Sequence, residues 1–294
     1  MQRFGTYEIP SHVFGWYMIR RDFKNLVQSI LYNVSYRDDT LHCLQSGDAI
    51  TMWKRLPDTS ERMVCCIYLL PWSVGYVHMY KKKNCKNIHT QILKHLIEQN
   101  ARDFESAFRR MPRLLRMLYL HAYQSYIFNT AASLRFDVAF VQSRRPELTA
   151  NDIWKALEGD LVMVDSNIHV VSREDEANEV YKVTQVVLPL VGSVESLPKT
   201  NLVCEPVDEL LLSQGVDLHA LRRAFEVEHL VQPNQRWEPQ YRYLCVQSDL
   251  QVTLDDDAST TESTVPGLHT LHLSFSLPPS AYATVALAPL IGFC

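Results

Sequence analysis

His121-Ala122-Tyr123-Gln124-Ser125-Tyr126-Ile127-Phe128-Asn129 lies inside an amphipathic run and carries more polar and aromatic side chains than a packing helix needs. With its surroundings it reads as one long helix over 113–136, starting after Pro112. Leu114, Met117, Leu118, His121, Ala122, Ser125, Asn129 and Ala132 fall near one stripe and are expected to form its inner face. The small residues Ala122, Ser125, Ala131, Ala132 and Ser133 would let another backbone come close.

Outward from this helix, Arg20, Arg21 and Lys24 open a second helical pattern, with Phe23, Leu26, Val27, Ile30 and Leu31 on one face. The first twenty residues read as a loop, a short element and a turn. Residues 36–62 are polar and irregular, with helical hints at 41–53. Residues 63–80 are apolar, and Pro71 and Gly75 leave strand, irregular core and helix all open. A helix is expected over 88–100, with Ile92, Leu93, Leu96 and Ile97 inward. Downstream, Thr149-Ala150-Asn151-Asp152 offers an N-cap for a short helix. Residues 161–164 and 168–171 read as a hairpin, and 183–190 as a further strand. Helices return at 208–214 and 218–230. The last portion reads as antiparallel strands at 242–254 and 269–277, around an acidic, Ser/Thr-rich loop at 255–264 that is expected to be solvated.

A chain of 294 residues, 47% hydrophobic and 21% charged, can bury a sizeable core. No apolar run approaches the roughly 20 residues of a membrane span, and the first residues hold no apolar signal region. The seven cysteines include no CxxC pair, and Cys85 with His89 is the nearest approach to a ligand pair. Reduced thiols in an intracellular protein, nuclear or cytoplasmic, are the expectation, with no metal. The net charge of -4 conceals an asymmetry: residues 1–145 carry 21 Lys+Arg against 11 Asp+Glu, a net of +10, and the remainder carry 8 against 22, a net of -14. Either the basic half meets a polyanion, or the two halves neutralise each other.

Generic catalytic signatures are absent: no GxGxxG, Walker loop, GxSxG or HExxH occurs. Six stretches in order carry a more specific pattern. They are Gln2-Arg3-Phe4-Gly5, the stretch at 121–129 with Arg135 after it, Gly159-Asp160-Leu161-Val162, Leu188-Pro189-Leu190-Val191-Gly192, Tyr241-Arg242, and the run from Leu271 through Phe275, Pro278 and Tyr282-Ala283-Thr284. Together they resemble the TruD family of pseudouridine synthases. The eukaryotic branch is the nearer match, given the long region at 36–110 and the tyrosine at 282.

The resemblance implies an α+β fold, with part of a mixed, largely antiparallel catalytic sheet and an inserted α/β domain. The insertion would cover 21–210, flanked by catalytic-domain pieces at 1–20 and 211–294. It implies an isomerase that converts uridine within RNA, most often tRNA, to pseudouridine without a cofactor and with no membrane association. Tyr282 would stack on the target base, and Arg3 and Phe4 would line the cleft beside it. Lys81, Lys82, Lys83, Lys86, Arg109, Arg110, Arg113 and Arg116 would meet RNA phosphates, a solvated basic face being the plain alternative. Tyr123 and Gln124 would shape the RNA path or make structural hydrogen bonds.

Two departures matter. The family's aspartate, in a Gly-x-Lys-Asp-Arg-type motif ahead of the Gln-Arg-Phe-Gly segment, has no counterpart; Asp22, in Arg21-Asp22-Phe23, is the only loosely similar string and follows Gln2. After Tyr-Ala-Thr, Ala288-Pro289 stands where the family has an Arg-Glu pair on a helix. The expectation is therefore a chain missing its N-terminal catalytic half and inactive alone, with a degenerate paralogue as the second explanation. The alternative function is a non-catalytic RNA-binding module of the same descent; a protein-interaction domain, its acidic half docking a basic partner, comes third.

Overall fold

The computed structural model describes residues 9–35, 91–92, 95–96, 103–192, 197–228, 240–245, 251–255 and 270–276. Arg3, Phe4, Lys81, Lys82, Lys83, Lys86 and Tyr282 lie outside them, as do the stretches 36–62 and 63–80. The described helices are α1 (Ser11–Ile19), α2 (Phe23–Ser35), α3 (Phe104–Arg109), α4 (Arg113–Arg135), α5 (Val138–Arg144), α6 (Arg173–Ala177), α7 (Cys204–Ser213) and α8 (Leu218–Val227). The strands are β1 (Leu161–Val164), β2 (Asn167–Val170), β3 (Val186–Pro189), β4 (Tyr241–Tyr243), β5 (Gln251–Asp255) and β6 (Thr270–Ser274).

The spine is α4. Its residues are mostly good helix formers with no glycine or proline among them, and Pro112 stands at its N-cap. The expected boundaries hold, and the expected stripe holds at Ala122, Ser125 and Ala132, which are buried, but not at its start. Leu114 and Leu118 are 79% and 54% exposed, while Tyr119, Leu120, Tyr123, Ile127, Phe128 and Ala131 are buried. Periodicity assumes one packed face, whereas α4 is walled by α1, α7, α8 and β3, so burial wraps most of the helix from Tyr119 onward. Close approach comes from the opposite partner: a Cβ at Gly15 of α1 would overlap Tyr119 O and sit 2.9 Å from Tyr123 Cβ. Glycine there lets the two helices nearly touch.

Leu26, Val27, Ile30 and Leu31 of α2 are buried as expected, as are Ile92 and Leu96. One core cluster takes residues from α1, α2, α4, α7 and α8 together with Leu188 and Leu190. It therefore draws on all three segments divided at 20 and 210.

All described strand pairs are antiparallel. Four strands lie in the order β2-β1-β3-β4, and β5 pairs with β6 separately. The β1–β2 hairpin turns on Asp165 and Ser166, both with positive φ (47° and 67°), the geometry that matches the twist of the flanking strands. In β3 the residues Val186, Val187 and Leu188 are all buried. One neighbouring cluster takes Leu188 and the other takes Val186 with Val162 and Val171. The expected strand at 183–190 is shorter, since Val183–Gln185 forms a 3-10 turn. The expected strand at 242–254 divides: β4 joins β3, and only β5 meets β6. The α+β expectation is met as a mixture of helices with antiparallel sheet.

Candidate functional site

Gln124, Ser125 and Arg135 of the long helix reach the other motif stretches, while Tyr123 and Tyr126 meet Gln214 and His12. Tyr123 donates its phenol proton to Gln214 Oε1 at 2.7 Å, and Trp16 Nε1 donates to Gln214 O at 2.9 Å. Burial pushes the Tyr123 phenol far above its ordinary pKa, so it stays a donor. Gln124 Nε2 donates to Val191 O at 2.8 Å, while its Oε1 lies 3.1 Å from His121 Nδ1. Ser125 Oγ lies 3.5 Å from an Arg242 guanidinium nitrogen, and that guanidinium sits 4.9 Å above the Phe128 ring, a cation–π contact. His12 stacks on Tyr126 with ring centroids 4.4 Å apart, and burial lowers its pKa. Thus Leu188–Gly192 and Tyr241-Arg242, distant in sequence, both dock on 121–129.

The tightest junction is at the helix end. Arg135 is fully buried, and Asp160 is 1% exposed. The Arg135 Nε reaches both carboxylate oxygens at 3.2 Å, and one terminal nitrogen reaches Oδ2 at 2.8 Å. The guanidinium also donates to Ile153 O (3.1 Å) and Lys155 O (2.8 Å). Asp160 accepts from Leu157 N at 2.9 Å and lies 3.5 Å from Asn201 Nδ2, which donates to Gly159 O at 2.9 Å. Gly159 has φ +84°, and a Cβ there would strike the backbone of Thr200 and Asn201. With its oxygens engaged this way and closed to solvent, Asp160 is a fastening and not a nucleophile.

The basic residues divide by partner. Arg109 pairs with Glu105 at 2.7 Å. Arg110 is exposed and has no ion-pair partner among the described residues. Arg113 Nε donates to Glu228 O at 2.7 Å. Arg116 is only 13% exposed; it pairs with Glu228 Oε2 at 2.8 Å and donates to Arg109 O and Met111 O. Arg116 therefore ties the α3–α4 connection to the end of α8, while Arg109, Arg110 and Arg113 are exposed. Tyr123 and Gln124 are each 1% exposed with their polar atoms on protein partners, the geometry of the structural hydrogen-bond alternative. Among the described residues no group of three or more His, Cys, Asp or Glu is placed to hold a metal ion. Sequence reasoning missed Asn201, Gln214 and Glu228; each is an ordinary polar residue whose partner lies far away in the chain.

The fold and the docked motifs define a pseudouridine-synthase-like frame built on one helix. Residues 77–289 match the profile of the family described as tRNA pseudouridine synthase D (TruD), and the chain belongs to that family. A pseudouridylate synthase 7 homologue of Bos taurus is 25% identical over 313 residues, covering 98% of this chain and 40% of the relative. The multisubstrate pseudouridine synthase 7 of Schizosaccharomyces pombe is 28% identical over 313 residues, covering 98% of this chain and 43% of the relative. A solved structure described as a TruD from Methanosarcina mazei has the same fold, with a TM-score of 0.56 and 21% identity over 95% of this chain and 56% of that one. The chain spans about two fifths of the length of the curated relatives it matches.

Proposed function

We propose that this chain is the RNA-holding frame of a pseudouridine synthase acting on tRNA or another structured RNA, and that residues 1–294 alone do not isomerise uridine. Family membership over 77–289 carries the first part; the lack of a Lys-Asp-Arg motif in the sequence carries the second. In the reaction the bond between N1 and the ribose breaks, the base turns, and C5 joins the ribose; N1 gains a proton and C5 loses one. The bonds balance without an oxidant, reductant or other co-reactant. The base must leave its stack, which costs a few kcal/mol and calls for an aromatic platform. A carboxylate must act at the sugar. Tyr282 is the proposed platform, with Arg3 and Phe4 beside it. Lys81, Lys82, Lys83, Lys86, Arg109, Arg110 and Arg113 are the proposed phosphate contacts.

In this reading 21–210 is the insertion, and α1 and α8, which contact each other and α4, form the joint between its flanks. A polypeptide carrying the Gly-x-Lys-Asp-Arg motif, joined or mixed, would supply the carboxylate. An intracellular site of action accompanies the reading; Cys204 is buried, and burial raises its thiol pKa, as suits an unreactive reduced cysteine. The test is to measure RNA binding by the 294-residue chain and to map pseudouridine after mixing it with a family segment that carries the motif. Binding by the chain, with pseudouridine appearing only in the mixture, is expected. No RNA binding would overturn the reading. Binding without pseudouridine in any combination would favour the non-catalytic RNA-binding module.

A further inference from the structure

The β5–β6 hairpin stands apart from the rest of the fold. Each of its strands pairs only with the other among the described residues, and neither gives a residue to the three described core clusters. Two strands alone are at best marginally stable in water. A third strand, or a layer packed on an apolar face, is what makes such a sheet persist.

The register shows which face lacks a cover. Val252 stands opposite Leu273, and two residues further along Leu254 stands opposite Leu271. Successive residues of a strand alternate between faces, so these four positions share one face. Gln251, Thr253, His272 and Ser274 occupy the other. One face is apolar and the other polar, the pattern of an antiparallel sheet covered on one side only. Yet Val252 is 54% exposed, whereas Val186, Val187 and Leu188 of β3 are all buried.

The chain that follows β6 points to what covers it. It runs through the half-buried Phe275 to Tyr282, the proposed platform. Tyr282 is eight residues past Ser274, a reach of at most about 29 Å. No other described strand is so near Tyr282 in the chain. The reaction needs a carboxylate at the sugar and a platform at the base of one uridine. A polypeptide seated on this hairpin is thereby brought toward the uridine that Tyr282 holds. The chain spans about two fifths of its curated relatives, so the family fold includes further polypeptide able to supply that cover.

We infer that the apolar face around Val252 and Leu273 is the docking surface for the polypeptide that carries the Gly-x-Lys-Asp-Arg motif. This rests on the functional reading above. The docking face of that polypeptide is itself apolar, since a polar group buried there without a partner would cost free energy. The open strand edges can take a further strand through main-chain hydrogen bonds.

The experiment uses a labelled family segment that runs from the Gly-x-Lys-Asp-Arg motif through Gln-Arg-Phe-Gly. It is titrated with the 294-residue chain and followed by fluorescence anisotropy, with pseudouridine mapped in the same mixtures. Val252→Gln and Leu273→Gln are each expected to weaken association roughly tenfold. Thr253→Gln, on the opposite face, should leave it within about twofold. RNA binding by the chain alone should be the same in all three variants, and amide exchange in β5 and β6 should slow when the segment binds. Wild-type association in both Val252→Gln and Leu273→Gln, with pseudouridine still formed, would overturn the docking surface and leave the functional reading standing. A dimer of the 294-residue chain that Val252→Gln dissociates would give this face to a second copy and overturn it too. A segment that neither binds the wild-type chain nor yields pseudouridine with it would overturn the functional reading, and the docking surface with it.

Discussion

Arg135 and Asp160 each stood out in the sequence, one ending the helix and one following a glycine, yet nothing there joined them. The pairing spans α5 and a 3-10 segment at Asp152–Trp154, which no short-range pattern reports. Its energetics give a clear prediction. Asp160→Asn leaves a buried guanidinium without its counter-charge, and removing one partner of such a pair costs about 3–5 kcal/mol. Urea unfolding should show that loss at an unchanged m-value, and Arg135→Lys, which lacks the planar fork, should also destabilise. The basic residues give a second test. Arg116 and Arg110 look alike in sequence, but Arg116→Gln breaks a mostly buried ion pair and should destabilise by about 2 kcal/mol. Arg110→Gln changes an exposed side chain and should move stability by less than about 0.5 kcal/mol. Equal effects of the two on thermal unfolding would contradict this division.

At the scale of elements, the sequence was most legible where spacing is local. The extent of α4, the α2 face and the β1–β2 hairpin follow from periodicity and turn chemistry. The inner face of α4 was legible only in part, because its environment comes from helices over 90 residues away in the chain, such as α7 with Gln214 at its C-cap. Short helices and turns here depend on aspartate caps, and these tie stability to pH. Hydrogen bonds from Ser106, Thr149 and Ser172 hold Asp103, Asp152 and Asp175 below the ordinary value, Asp152 at about 2. A carboxylate with a depressed folded pKa binds protons more readily in the unfolded chain, so its contribution is present above its ordinary value of 3.8 and fades as pH falls toward about 2. Thermal unfolding should shift down over that window, and Asp152→Asn should flatten its share of the slope. A melting temperature constant from neutral pH down to about 2 would contradict the cap account.

For the whole molecule, the charge split left two readings open, and the structure shows how far mutual neutralisation goes. Arg116–Glu228, Arg135–Asp160, Arg144–Glu205 and Arg145–Glu176 each join an arginine of the basic half to a carboxylate of the acidic half. Part of the asymmetry is therefore spent inside the fold. What stays exposed without an ion-pair partner among the described residues includes Lys24, Arg110 and Arg223, which a count over halves could not single out. The family was legible because its motifs are the contacts: 121–129 receives Leu188–Gly192 through Gln124 and Tyr241-Arg242 through Ser125 and Phe128.

The central claim is that these residues hold RNA while the reacting carboxylate comes from outside them. Release of tritium from RNA carrying 5-tritiated uridine tests it most directly, since C5 loses its hydrogen only when pseudouridine forms. The 294-residue chain should bind that RNA and release no tritium, and release should begin when a family segment bearing the Lys-Asp-Arg motif is added and stop when its aspartate is changed to alanine. Tritium release by the 294-residue chain alone, proportional to its concentration, would contradict the account.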